Sequence, residues 1–208
     1  MRKSTPSLAI GVLVESGSTF AQDVLRGAIL YGQMHPGVEV APGNNATLLA
    51  QSGKACIIQG NQRQDQTFAE VPPQRGINIS HASATSHFPR LTNDDTAVAR
   101  MAADHFVSRG HSRFLFIGKS ALTYSEIRRE AFRQRVRERL PEKTVHFHAI
   151  DIGDFLQTEA ADLATLLGRL PVAVFCSNDA VAAGVIRHLS EGGFHVPQQV
   201  AVLGVDDD

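Results

Sequence analysis

The sequence predicts an α/β protein of two lobes, each a parallel sheet flanked by helices. Short apolar runs alternate with amphipathic helical stretches along the whole chain, and the series restarts after Gly110 and His111. Apolar runs bounded by turn residues are typical of strands buried on both faces, which occur in parallel sheets. Their alternation with helices is the pattern of right-handed crossover units.

The first lobe is predicted to span residues 1–110. Its first strand is the run LAIGVLV at residues 8–14, and an apolar stripe at helical spacing follows before Pro36 and Gly37 end the helix. The predicted strands are 8–14, 38–41, 55–59 and 77–80, and the predicted helices are 21–34, 46–51 and 94–109.

The second lobe is predicted to span residues 111–208 and to repeat the same order of elements. Its buried strands begin with FLFIG at residues 114–118, and a strongly charged helix with Phe132 and Val136 as its inward stripe follows. The predicted strands are 114–118, 145–152, 172–178 and 200–208, and the predicted helices are 126–140, 155–170 and 180–193.

Composition narrows the class of protein. With 208 residues and 43% hydrophobic residues, the chain can bury a substantial core. With a net charge of -1, the chain lacks the basic excess of a stand-alone nucleic-acid binder.

Cys56 and Cys176 both lie in apolar runs, which predicts buried, reduced thiols. No apolar run approaches the ~20 residues that span a bilayer, and no signal-peptide cleavage site follows the first strand, so we expect a cytoplasmic protein without membrane contact.

The residues that follow each strand are the candidate binding residues, because ligands of open α/β sheets bind beyond the carboxyl ends of the strands. These segments are rich in carboxylates, amides, hydroxyls and arginine, which suit the hydroxyl groups of a polyol. Glu15, Ser16 and Phe20 follow the first strand and face the predicted cleft. Phe20 has two interpretations, a ring that stacks on a sugar or a core residue.

Four stretches, in the right order, resemble one known family. Residues 171–208 form a strand ending in Asn-Asp, a helix, a Gly-x-x-x-Pro turn and a strand ending in Gly-x-Asp. The other three are HFVSRGHSRFLFIG (105–118), SEIRREAFRQRV (125–136) and the opening at residues 9–33. Together they resemble the effector domain of the lactose/galactose repressor family, which implies a type I periplasmic-binding-protein-like fold.

The resemblance also implies binding residues. Arg128 matches the family's effector-binding arginine, Asn178 its binding amide, Asp206 its binding carboxylate, and Asp94 an aspartate at a helix start. Each has a structural alternative. Arg128 could be a solvated charge, and Asp94 and Asn178 could cap helices. Of Asn178 and Asp179, we expect Asp179 to be the better cap.

One branch of the family fits best. The chain starts directly at the effector domain, as the xylose-operon regulators do, and those carry an arabinose-regulator-type helix-turn-helix domain at the C-terminus. The chain stops after a strand of the second lobe, at Asp208. We therefore expect an incomplete second lobe, without the return to the first lobe, and a DNA-binding domain outside this chain.

The resulting hypothesis is a sugar sensor, with xylose as the branch-specific expectation, that couples effector binding to DNA binding by an attached domain. The resemblance implies a homodimer formed through helices of the first lobe. The alternative is a stand-alone or transport-type sugar-binding protein of the same fold.

An enzyme is not expected: there is no Walker lysine loop, and no GxGxxG follows the first strand. The histidines show no metal-ligand spacing, so no metal or cofactor is expected.

Overall fold

The computed structural model describes residues 8–14, 18–42, 55–60 and 71–207. The chain divides into two compact units, Met1–Thr92 and Asn93–Asp208. The lobe boundary predicted after residue 110 lies within the second unit, because the helix that precedes it packs on the second sheet.

The first unit contains one parallel sheet with the order β2-β1-β3-β4. The predicted short helix at residues 46–51 lies outside the described residues. The elements are β1 (Leu8–Leu13), α1 (Thr19–Met34), β2 (Val38–Pro42), β3 (Ala55–Ile58), a short 3-10 turn (Pro73–Arg75) and β4 (Gly76–Asn78).

The carboxyl end of β4 is organised by one buried amide. Asn78 is buried, and its Oδ1 accepts hydrogen bonds from the backbone N–H groups of Gly60 (3.0 Å) and Ser80 (2.9 Å). Its Nδ2 donates to Ser86 Oγ at 3.0 Å. This side chain therefore joins the ends of β3 and β4 to the loop that follows.

The second unit contains another parallel sheet, with the order β6-β5-β7-β8. The prediction of an α/β fold with two parallel four-stranded sheets is thus confirmed. The elements are α2 (Asp95–Ser108), β5 (Arg113–Gly118), α3 (Thr123–Arg139), β6 (His146–Asp151), α4 (Ile152–Gln157), α5 (Ala160–Leu167), β7 (Val172–Cys176), α6 (Asp179–Glu191) and β8 (Val200–Leu203).

Both faces of this second sheet are covered, because side chains of a strand alternate between its two faces. On β5, Phe114 and Phe116 pack into the cluster that includes residues of α2 and α3. Leu115 and Ile117 pack into the opposite cluster, with residues of α4, α5 and α6. This explains the continuous apolar run from Phe114 to Ile117, from which the strand was predicted.

Two predicted elements of the second unit are wrong in extent. The strand predicted at residues 200–208 ends at Leu203, where its pairing with Phe175 on β7 ends. The helix predicted at residues 155–170 is two helices, α4 and α5, separated at Thr158 and Glu159. Between the two helices, the carbonyl of Thr158 forms a hydrogen bond with the ring Nε2 of His188 on α6, at 2.9 Å.

The two thiols are buried and unpaired with each other, as predicted. Burial raises the pKa of Cys56 to about 11 and raises the pKa of Cys176 as well. Both groups are therefore protonated at neutral pH. In the described ranges, no helix is both long enough and apolar enough to cross a membrane.

Candidate functional site

The second sheet has a switch point between β5 and β7. From β5 the chain crosses first to β6 on one side and then to β7 on the other side of β5. Ligands of open parallel sheets bind in the crevice outside the carboxyl ends of the strands at such a point. Here the first turns of α3 and the residues Ser177 and Asn178 lie at that position.

Arg128 is the central side chain at this switch point. It is only 4% exposed, and its Nε donates to Asp95 Oδ1 at 2.8 Å, in an ion pair whose side chains are 5% and 4% exposed. Its Nη1 donates to the carbonyl oxygen of Ser177 at 2.5 Å. Arg128 is thus not the solvated surface charge that was the alternative interpretation. It joins the starts of α2 and α3 to the end of β7.

Tyr124 and Asn178 extend this group. The guanidinium carbon of Arg128 lies 5.0 Å from the centre of the Tyr124 ring, one helical turn earlier on α3. Asn178 Nδ2 donates to Tyr124 Oη at 3.4 Å, and Asn178 Oδ1 accepts from Val181 N at 3.0 Å. Asn178 is therefore the N-cap of α6, and the preference for Asp179 as the cap was wrong. Capping fixes which way the amide of Asn178 faces.

The segment after β8 joins the same place. The backbone N–H of Asp179 donates to the carbonyl of Val205 at 2.9 Å. Asn178, which precedes Asp179, and Asp206, which follows Val205, therefore lie in neighbouring loops. Asp206 is exposed and has a φ of 118°, a conformation that non-glycine residues rarely adopt. Three of the predicted site residues, Arg128, Asn178 and Asp206, thus belong to one local assembly.

The other predicted site residues lie elsewhere or are not described. Asp94 is the N-cap of α2, accepting from Ala97 N at 2.9 Å, which is the structural alternative considered for it. Phe20 is half-buried in the first turn of α1, in the first unit. Glu15 and Ser16 lie outside the described residues. The ligand-binding role of all seven residues stays a prediction.

Sequence reasoning missed Asp95. Tyr124 and Ser177 lie in segments that follow strands, where binding residues were expected, but neither was singled out. The position of Asp95 on α2 offered a signal, because it lies four residues before Ala99 on the stripe that packs into the core. A charged residue in register with an apolar stripe is expected to be buried with a partner. Ser177 is fully buried, and its hydroxyl has no hydrogen-bond partner among the described residues.

Surface ion pairs hold α2 against α3. Arg135 of α3 contacts Asp104 of α2 through three hydrogen bonds of 2.9 to 3.2 Å, and Arg100 of α2 contacts Glu138 of α3 at 2.9 Å. The hydrogen bond from Arg135 is the main reason why the pKa of the Asp104 carboxyl lies below its usual value. These contacts lie further along the two helices than Asp95 and Arg128.

Gly204 sets the close approach between the end of β8 and the start of α6. A Cβ at Gly204 would collide with the Asp179 carboxylate and would lie 3.1 Å from its Cα. We expect Gly204→Ala to lower the free energy of unfolding by about 1–3 kcal/mol through overpacking. Gly184→Ala, in the interior of α6 with no atom within 4 Å of the new Cβ, is the matched control.

Urea unfolding of both variants, followed by circular dichroism, measures the difference. Gly184→Ala is expected to be neutral or stabilising, by up to about 1 kcal/mol, because alanine restricts the unfolded chain and favours the helix. Equal stabilities of the two variants would show that the loops at Gly204 and Asp179 are not closely packed.

Comparisons with known proteins point to one family. Residues 103–208 match the family described as "Periplasmic binding protein-like domain". Over 153 residues the chain is 32% identical to the HTH-type transcriptional regulator MalR of Streptomyces coelicolor. The matched region covers 70% of this chain but only 43% of MalR. The chain therefore spans less than half the length of this relative.

Solved structures show the same fold. A LacI transcriptional regulator from a Rhodococcus species superposes over 96% of this chain and 78% of its own, with a TM-score of 0.73 and 22% identity. A LacI family regulator from Enterococcus faecium, solved with bound ribose, gives a TM-score of 0.70 at 22% identity, with the same coverage of 96% and 78%.

Proposed function

The chain belongs to the periplasmic-binding-protein-like family, and on that premise we propose that it is the effector-sensing domain of a LacI-type transcription regulator whose effector is a sugar. The relatives named above are transcription regulators, and one neighbour of the same fold was solved with ribose. The observation that carries the proposal is the buried cluster around Arg128 at the switch point of the second sheet.

The chemistry of this cluster suits hydroxyl groups. Arg128 uses one N–H on Asp95 and one on Ser177, so further guanidinium N–H donors remain for ligand oxygens. Asn178 contributes an amide whose orientation is fixed by the cap, and Asp206 contributes a carboxylate that accepts from hydroxyls. A mixture of fixed donors and acceptors favours a neutral polyol over a simple anion.

Sugar binding would be coupled to DNA binding if two conformations of the whole regulator differed in their affinity for the sugar. Effector binding shifts such an equilibrium only by its differential affinity for the two states. We propose that this shift changes the operator affinity of a helix-turn-helix domain outside this chain. A homodimer, a cytoplasmic location, a non-catalytic role and a preference for xylose are further proposals drawn from the family resemblance.

Calorimetric titration of the chain with D-ribose, D-xylose and D-glucose tests the sugar site. At least one sugar is expected to bind, and Arg128→Lys is expected to weaken it by about tenfold or more, because lysine cannot reproduce a planar fork of donors. Arg133→Gln is the control, since Arg133 pairs with Glu130 on the exposed side of the same helix.

Two results would contradict the proposal. The first is no binding of any pentose or hexose tested. The second is binding that Arg128→Lys and Asn178→Ala leave unchanged. The regulatory step is tested on the full-length gene product, by measuring operator affinity with and without the bound sugar; an affinity independent of sugar would exclude the sensor role.

A further inference from the structure

A second polar cavity lies in the second unit, on the other flank of α3 from the Arg128 cluster. It has a volume of about 150 Å³ and lies at the carboxyl ends of β5 and β6, against the first turns of α3. Its lining includes three apolar residues, Phe116, Ala149 and Ile150. Its polar lining residues are Ser120, Ser125, Glu126, Arg129 and Asp151.

Two buried polar atoms of this lining have no partner in the described part of the chain. Ser125 is 1% exposed, and its Oγ makes no hydrogen bond. The Nε of Arg129 is likewise buried and unpaired, although the Nη2 of the same guanidinium donates to Glu126 Oε2 at 2.6 Å. Because buried polar groups in native proteins nearly always have partners, these atoms are expected to be bonded by a molecule in the cavity.

Gly118 permits this arrangement. It ends β5 beside Ser125, and a Cβ there would collide with the Ser125 hydroxyl and lie 2.7 Å from the Phe116 ring. The absence of a side chain therefore lets the hydroxyl of Ser125 approach the strand end, at the wall of the cavity. The two unpaired atoms thus belong to the same small space.

The charges of the lining select the kind of ligand. Asp151 is held ionised, because the backbone N–H groups of Ser120 and Gly153 and the hydroxyl of Ser120 all donate to it, which lowers its pKa. Two carboxylates, Asp151 and Glu126, oppose an anion, while Arg129 opposes a cation. A neutral molecule with several hydroxyl groups can accept from Arg129, pair with Ser125 and donate to the carboxylates.

The cavity is distinct from the Arg128 cluster. Successive residues on a helix point about 100° apart, so Ser125 and Arg129 face a different direction from Tyr124 and Arg128. Arg128 contacts the start of α2 and the end of β7, whereas the cavity lies against β5 and β6. The cavity is therefore independent of the sugar site proposed above.

We propose that this cavity is a second binding site, for a small neutral polyol. At about 30 Å³ per water molecule in the liquid, its volume corresponds to about five waters, which gives room for a molecule of a few carbon atoms. The four-carbon polyol erythritol is neutral, is of suitable size and carries a hydroxyl on every carbon, and it is the probe of choice.

The test is an NMR titration of the ¹⁵N-labelled chain with erythritol. The backbone amide signals of Gly118, Ser120 and Ser125 are expected to shift in a saturable way. Ser125→Ala and Arg129→Gln are each expected to weaken this binding by about tenfold, as the loss of one hydrogen bond in a buried site would do. Arg133→Gln, one turn further along α3 on an exposed ion pair, should leave it unchanged.

Both test variants are expected to fold, because the Ser125 hydroxyl has no described partner and the Arg129–Glu126 pair is more than two-fifths exposed on both sides. If Ser125→Ala alone unfolds, Arg129→Gln still decides. The proposal is overturned by three results: no saturable shift, a shift that both variants retain, or inorganic phosphate or tetramethylammonium binding there more tightly than erythritol.

Discussion

Replacing Asp95 with alanine is expected to lower the free energy of unfolding by about 3–5 kcal/mol. The carboxylate pairs with Arg128 Nε at 2.8 Å, and both side chains are at least 95% buried. Removing it leaves the guanidinium buried without its counter-charge, which costs far more than the intact pair contributes. Urea unfolding followed by circular dichroism measures the loss, since the chain has no tryptophan for fluorescence.

The double variant Asp95→Leu with Arg128→Met is the decisive comparison. Replacing both charges by apolar side chains of similar volume removes the cost of burying them and is often neutral or stabilising, by about 1–4 kcal/mol. It should therefore be more stable than Asp95→Ala while losing sugar affinity as Arg128→Lys does. A loss below about 1 kcal/mol for Asp95→Ala would show that the pair is solvated rather than buried.

The variant Asp95→Asn separates two roles for Asp95. If Asp95 only contributes to stability, Asp95→Asn should reduce stability and leave sugar affinity unchanged in the folded fraction. If Asp95 positions Arg128 for the ligand, Asp95→Asn should weaken sugar binding even below the temperature at which the variant begins to unfold. The Ser177 carbonyl holds the other side of the guanidinium, so a partial effect of about tenfold is expected.

Phe132→Ala is expected to cost about 3–5 kcal/mol, as large-to-small changes of buried aromatic residues do. Phe132 is 0% exposed, at the centre of the cluster between α2, α3 and the second sheet. Its ring centre lies 5.8 Å from Phe114, 6.3 Å from Phe106 and 5.0 Å from Phe175. Truncation opens a cavity that three rigid rings cannot fill without leaving their rotamers.

Met101→Ala is the control for that experiment. Met101 lies on α2, which packs on α3, but it is 71% exposed, so its truncation should change the free energy of unfolding by no more than about 0.5 kcal/mol. Thermal and urea unfolding of the two variants give the comparison. Similar losses for both would contradict the placement of α2 and α3 on the second sheet.

The strands were predictable because their signal is local. A strand covered on both faces has a continuous apolar run, as β5 has from Phe114 to Ile117 and β7 along its whole length, and such a run is visible in any window that contains it. The end of β8 was not predictable in this way. Val205 continues the apolar pattern, but β8 ends at Leu203, since its partner β7 turns into the cap of α6 after Cys176.

Helix ends were only partly predictable. Asn178 and Asp179 are both of residue types that are preferred at the N-cap position, and capping preference alone does not rank them reliably. The choice follows from where β7 leaves the sheet, which gives Asn178 its extended backbone and lets its Oδ1 reach Val181 N. At the break between α4 and α5, the carbonyl of Thr158 is bonded to His188, 30 residues away, a contact that no local pattern reveals.

The sequence alone therefore determined the class of fold and the two parallel sheets, and it singled out Arg128 as a candidate, since periodicity and an ordered set of motifs carry that information. Only the tertiary structure decided what surrounds Arg128. Asp95 is 33 residues away along the chain and Ser177 is 49 residues away. They meet because α2 packs on α3 and β7 lies beside β5, and contacts between distant segments leave no pattern within either segment.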